Sequence, residues 1–104
     1  MDAITALSGS GPAYFFYLTE LLAKQAEAYG FTEDIANILA KQTLLGAAAL
    51  LTSDPRSPTD WKRAVMSKGG TTEAAMKSLN ENDFEKIFFK ALDQAKNRSK
   101  ELRG

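Results

Sequence analysis

Two short stretches of this chain carry residue types at spacings that chemistry needs. One is Ser67-Lys68-Gly69-Gly70-Thr71-Thr72; the other is Thr5-Ala6-Leu7-Ser8-Gly9-Ser10-Gly11-Pro12-Ala13-Tyr14. In the first, two adjacent glycines let backbone approach a ligand closely. The helix predicted to start at the threonines offers unpaired N–H groups and the positive end of a dipole. That combination seats a carboxylate or a phosphate, and the hydroxyls of Thr71 and Thr72 add donors. The stretch is too short for a P-loop, and Lys68 precedes the glycines instead of following them. The same residues also make a plain helix-loop-helix turn with a threonine N-cap, so local chemistry leaves both readings open. The second stretch begins like a dinucleotide-binding fingerprint. No strand precedes it, however, and no third glycine follows at the required interval. Its plain reading is a tight turn that lets the next helix pack closely at its start.

Other chemistries are closed by composition. The 104 residues include no His and no Cys. Disulfides, thiolate or imidazole metal sites, Cys nucleophiles and Ser-His-Asp triads are therefore all excluded. Acidic residues are scattered, so neither a carboxylate metal site nor a paired-carboxylate mechanism suggests itself. Lys plus Arg and Asp plus Glu each number 13, giving zero formal net charge. A neutral chain lacks the basic excess that nucleic acids and anionic membranes select. No signal-peptide pattern follows Met1, and the longest apolar run is too short to span a bilayer. These features describe a soluble, cytoplasmic-type domain.

The elements that must position the two stretches are helices. Ala, Leu, Lys, Glu and Gln dominate, Val65 is the single valine, and no segment alternates apolar with polar residues as a strand does. The pattern predicts an all-α fold of about five helices without a sheet. The first opens at Ser10 as N-cap with Pro12 in its first turn, and Gly30 stops it. It is apolar nearly all round at its start. Thr32 caps the second, which runs through Ile35 to Leu51 with Lys41 as its one charge after the first turn. Its plain reading is a central buried helix; the alternative is a helix that partly faces a second subunit. Ser57-Pro58 caps a short third helix ending near Met66. The fourth starts at Thr71-Thr72 and reaches Leu79. Asn82 with Glu85 forms a capping-box-like start for the fifth, whose apolar stripe is Phe84, Phe88, Ala91, Ala95 and Leu102, interrupted at Arg98 and Ser99.

Asp2-Ala3-Ile4-Thr5-Ala6-Leu7-Ser8-Gly9-Ser10-Gly11-Pro12-Ala13-Tyr14 closely resembles a signature of the pyrroline-5-carboxylate reductases. Ser67-Lys68-Gly69-Gly70-Thr71-Thr72 resembles another, with Lys68 where that family usually has Pro. Gln42-Thr43 with Leu45-Gly46-Ala47-Ala48, and the ending Arg98-Ser99-Lys100-Glu101-Leu102, match two more. Order and intervals fit as well, so the resemblance covers essentially the whole chain.

The resemblance implies that residues 1–104 are the C-terminal, all-helical dimerisation domain of such an enzyme, without its N-terminal Rossmann domain. Two such domains would intertwine as a homodimer. The expected reaction is hydride transfer to the C=N bond of 1-pyrroline-5-carboxylate, giving L-proline in proline biosynthesis. NADP or NAD would be bound mainly by the absent domain, with none expected on this fragment, which alone would be inactive. By the resemblance, Gly69, Gly70, Thr71 and Thr72 hold the substrate carboxylate and Val65 and Ser67 line its ring. Thr5 is the catalytic candidate, beside the imine nitrogen and the nicotinamide. Without His or Cys, the protein's part is to position an already electrophilic imine. The alternative is a non-catalytic helical protein-interaction module.

Overall fold

The computed structural model describes residues 1–104, and every regular element in it is helical. The chain divides into two compact units, Pro12–Arg56 and the remainder, Met1–Gly11 with Ser57–Gly104.

The first of these units is a helical hairpin. Helix α2 (Gly11–Ala28) is joined by four residues to α3 (Glu33–Ser53). Gly30 stops α2 as the glycine signal predicts, at φ 106°, where a side chain would be strained. Its N–H donates to the Glu27 carbonyl at 2.9 Å and the Phe31 N–H to the Ala26 carbonyl at 3.1 Å. These are the two crossed bonds of a Schellman motif, which satisfy carbonyls that the helix end would otherwise orphan. The Thr32 hydroxyl then accepts from the Ile35 N–H at 3.3 Å, so the predicted cap of α3 is in place.

What the hairpin buries is small. Its buried apolar residues are Ala23, Ala36 and Ala40, and no large side chain anywhere in the chain is fully enclosed. Phe15, Phe16, Tyr17, Ile38 and Leu45 are all more than half exposed. The reading of α3 as a central buried helix is thereby corrected: only the alanines at 36 and 40 are covered within the chain, while most of its larger side chains stay exposed. Helix α3 also exceeds the apolar run seen in the sequence. It has 21 residues, and an 18-residue window within it has a mean hydropathy of 1.4, which makes the helix long and apolar enough to cross a membrane by length and composition.

The second unit is built from segments distant in sequence. Its N-terminal part corrects the expectation of a tight turn before the first long helix. Asp2–Ile4 is one α-helical turn (α1), and Thr5–Gly9 continues it as a π-helical turn closed by the Ser10 N–H on the Thr5 carbonyl at 2.8 Å. Ser10 therefore ends this π-turn in right-handed helical geometry, a conformation unlike the extended backbone of a usual N-cap. Glycine at position 9 does not break the helix because a wider turn absorbs the irregularity; such π-turns cluster at functional sites.

Helix α4 (Pro58–Ala64) begins as predicted, with the Ser57 hydroxyl accepting from the Asp60 N–H at 3.1 Å and proline at the first helical position. Helices α5 (Thr71–Glu81) and α6 (Phe84–Arg103) meet at Asp83, which adopts a left-handed conformation at φ 59°. The capping box expected at Asn82 is absent. Asn82 instead donates through Nδ2 to the Ser78 carbonyl at 2.8 Å and so finishes α5, while Asp83 stands at the N-cap of α6 without a side-chain bond. The left-handed residue turns the chain sharply enough that the Asn82 side chain reaches backwards rather than forwards. The α6 stripe also shifts. Its half-buried line is Phe88, Leu92, Ala95 and Ser99, and Leu102 is exposed. Ser99 interrupts an apolar pattern because its hydroxyl has a polar partner, Asp2.

Candidate functional site

The segment from Val65 to Glu73 is where geometry and sequence expectation meet. Val65 ends α4, with its N–H on the Trp61 carbonyl at 3.3 Å, and its side chain is exposed. Four residues then reverse the chain. The Gly70 N–H donates to the Ser67 carbonyl at 2.8 Å, closing a turn over Ser67–Gly70. Gly69, third in that turn, has φ 72°, whereas Lys68 before it is not in the positive-φ region. A turn with only its third residue at positive φ follows the type II pattern. It requires glycine there and favours, without requiring, proline at the second position. Lys68 occupies that second position, which accounts for a proline being exchangeable with lysine here.

Gly70 is needed for a different reason. A Cβ there would collide with Ser67 Oγ and lie 3.0 Å from the Ser67 carbonyl oxygen. Gly70 is also the N-cap of α5, which corrects the expectation of a threonine cap. Thr71 and Thr72 are the first two helical residues. The first backbone bond of the helix is Ala74 N–H to the Gly70 carbonyl at 3.1 Å. The N–H groups of Thr71, Thr72 and Glu73 therefore have no acceptor within the helix. They open along the helix axis at its positive end, where an anion is favoured. Thr71 is exposed and Thr72 half-buried, so the donors are within reach of solvent. A residue that the sequence reading did not single out completes the loop: the Glu73 carboxylate accepts from the Gly69 N–H at 3.1 Å. Its position three residues after the cap was the available signal, since acidic side chains there commonly reach back over the helix start.

Thr5 stands apart from this loop. Its N–H and its hydroxyl both donate to the Met1 carbonyl, at 3.0 and 3.1 Å. The hydroxyl proton is thus engaged, and what Oγ1 offers a ligand is lone pairs. The structure gathers Val65, Ser67, Gly69, Gly70, Thr71 and Thr72 into one loop but brings no contact between that loop's helix, α5, and the π-turn that starts at Thr5. Both pack on α6. A hollow of about 230 Å³ between the π-turn and α6 is lined by Ala3, Ala6, Leu7, Phe89 and Leu92, with Asp93 and Lys96 at hand. None of the residues expected to bind substrate lines it, and its apolar wall suits a packing partner better than a polar imino acid.

The fold and these exposures define an all-helical domain made to associate with another chain. Residues 1–102 match the family model for pyrroline-5-carboxylate reductase dimerisation. The chain belongs to that family. It is 46% identical over 102 residues to the pyrroline-5-carboxylate reductase of Pseudomonas aeruginosa, covering 98% of this chain and 37% of that protein. The enzyme of the same name from Pisum sativum is 45% identical over 101 residues, with 97% and 37% covered. Among solved structures, the Plasmodium falciparum pyrroline carboxylate reductase with NADP bound superposes with a TM-score of 0.92 at 29% identity, over 100% of this chain and 40% of that one. The Coxiella burnetii pyrroline-5-carboxylate reductase gives 0.90 at 46% identity, over 97% and 37%. The chain therefore spans well under half the length of these relatives. As a dimerisation domain it self-associates.

Proposed function

We propose that these 104 residues are the dimerisation and substrate-binding domain of a pyrroline-5-carboxylate reductase, reducing 1-pyrroline-5-carboxylate to L-proline. The observation that carries the reading is the start of α5, where three adjacent N–H groups lack helical acceptors behind a glycine pair. The substrate carboxylate takes these donors, with Gly69 and Gly70 keeping side chains out of its way. Each charge-assisted hydrogen bond of this kind contributes about 1.5–3 kcal/mol. Thr71 and Thr72 add their hydroxyls, and Val65 and Ser67 line the ring. The Glu73 carboxylate lies beside this seat and lowers its attraction for a second anion, an effect that an exposed Lys68 offsets.

Thr5, which stands apart from this loop within one chain, is assigned to the imine end of the substrate. Because its proton is committed to the Met1 carbonyl, Oγ1 accepts a hydrogen bond from the protonated imine N–H and holds the C=N bond in place. The nicotinamide, NADP or NAD, supplies the hydride when bound; the imine carbon receives it and the nitrogen keeps its proton. Phosphate-binding turns of the dinucleotide type need a strand before the helix. In an all-helical chain that points to a Rossmann domain outside residues 1–104 as the nucleotide's holder. The isolated chain is then inactive, and the whole reductase works in the cytoplasm as a homodimer in which α2 and α3 of both copies share one core.

Steady-state kinetics of the whole reductase test the seat. Thr72→Ala raises KM for pyrroline-5-carboxylate by about fivefold, the worth of one hydrogen bond, and leaves cofactor affinity unchanged. A well-folded Thr72→Ala enzyme with unaltered KM, alongside an equally unaltered Thr71→Ala enzyme, removes the hydroxyls from the seat, and a well-folded Gly70→Val enzyme with unaltered KM places the carboxylate elsewhere. Calorimetric titration of the isolated chain with NADPH tests the division of labour, and micromolar binding there overturns it.

A further inference from the structure

Three side-chain hydrogen bonds tie the beginning of the chain to its end. The Arg103 guanidinium meets the Asp2 carboxylate with both prongs, Nη2 to Oδ2 at 2.8 Å and Nε to Oδ1 at 3.3 Å. The Ser99 hydroxyl donates to the same Oδ1 at 3.0 Å. The Asp2 side chain is 16% exposed with these partners in place. A two-pronged Arg–carboxylate pair fixes direction as well as distance. The two donors stand one helical turn apart on α6, which spans Phe84–Arg103, so the carboxylate is held against a rigid rod.

What this clamp holds is a weak element. α1 is a single turn of three residues, too short to persist by itself. Its Met1 carbonyl, immediately before the clamped residue, is the acceptor that receives both the N–H and the hydroxyl proton of Thr5. Thr5 in turn opens the π-turn, its own carbonyl accepting from Ser10. We infer that Asp2, Ser99 and Arg103 are positioning residues: by pinning the first turn to α6 they fix the Met1 carbonyl, and through it the direction in which Thr5 Oγ1 presents its lone pairs. This rests on the reading of Thr5 given above. Without the clamp the first turn frays, the hydroxyl regains its rotational freedom, and the reaction loses orientation rather than substrate affinity.

The test uses the whole reductase. Arg103→Ala lowers kcat by about tenfold with KM for pyrroline-5-carboxylate nearly unchanged, and speeds hydrogen exchange in the peptide that carries Thr5. Arg103→Lys, which keeps the charge and loses the fork, recovers part of both. Ser99→Ala, removing one bond of the three, moves both in the same direction by less and serves as the gentle variant should Arg103→Ala fold poorly. Unchanged exchange at Thr5 in a folded Arg103→Ala enzyme overturns the clamp. Faster exchange with wild-type kcat overturns the positioning role. Thr5→Val separates the two levels: if it impairs kcat while the clamp variants do not, the clamp alone is wrong; if it too leaves kcat intact, the assignment of Thr5 and the clamp's purpose both fall.

Discussion

The hairpin of α2 and α3 and the unit containing α4, α5 and α6 solve opposite problems. The hairpin is capped correctly at both ends of its connection by Gly30 and Thr32, yet encloses only alanines and leaves Phe15, Phe16, Ile38 and Leu45 in the open. The other unit is equally thin in core, with Ala6 its one buried apolar side chain. It is tied instead by specific polar contacts: Asp2 with Ser99 and Arg103, Gly69 with Glu73, Gly70 with Ser67, Asn82 with Ser78. One region has its local structure settled and its packing unfinished. The other has its geometry fixed by hydrogen bonds that shape the proposed ligand seat. Stability and recognition are thus assigned to different residues, and each can be damaged without the other.

The largest effect expected from a single change is in the hairpin. Phe16→Asp puts a charge on a side chain that is 67% exposed within its own chain, so the folded chain loses little. In the shared core of a dimer, a buried, unpaired carboxylate costs about 3–5 kcal/mol. Light scattering coupled to size exclusion reads a shift from dimer to monomer at micromolar concentration, and a dimer of wild-type affinity contradicts the assignment of this face. Gly70→Ala comes next and acts in the other unit. Its Cβ meets Ser67 Oγ, a side-chain atom that can rotate away, and lies 3.0 Å from the Ser67 carbonyl oxygen, so the turn gives by a few tenths of an ångström and the three donors of α5 shift with it. We expect KM for pyrroline-5-carboxylate to rise more than tenfold, a loss of about 1.4 kcal/mol or more, with the dimer intact. Dissociation of that variant would erase the contrast between the two regions. Ser57→Ala removes the cap of α4, which leads into the loop. It lowers stability by about 1 kcal/mol, seen as a lower melting temperature, with the oligomer and KM unaltered.

The smallest effect concerns pH. Hydrogen bonding from Arg103, partly opposed by desolvation, holds the Asp2 carboxyl below its ordinary value. A carboxyl with a lowered folded-state pKa contributes its stability in full above the unfolded value, near about 3.9. That contribution is lost as pH falls below this value and through the lower folded one. Asp2→Asn removes the dependence. Acid denaturation curves of the two proteins should therefore converge as the pH falls through this window and differ above it. Curves separated equally at pH 3 and pH 6 contradict the pairing.

Much was legible in the sequence because helix signals are local. The caps at Thr32 and Ser57, the stop at Gly30 and the all-helical class depend on residues within one turn of each other, and each is found where the pattern placed it. The glycine loop was legible as a candidate anion seat because glycine pairs before a helix start carry a physical meaning of their own. Three things were not. The helical character of residues 2–9 was hidden because the run Ser8-Gly9-Ser10-Gly11 at its end reads as a turn. What holds that segment helical is Asp2 against α6, a contact 97 and 101 residues away in sequence. Asn82 was misassigned because the same side chain can cap forwards or backwards, and only the left-handed turn at Asp83 chooses. The burial of α3 was overestimated because apolar composition says that a helix will be covered, not which chain covers it. The sequence by itself determined the local elements and the chemistry of the glycine loop, since both arise from neighbours along the backbone. The tertiary structure alone decided which carboxylate meets which guanidinium, where the Thr5 proton goes, and which apolar faces stay uncovered. Those outcomes depend on groups that the chain brings together only after it has folded.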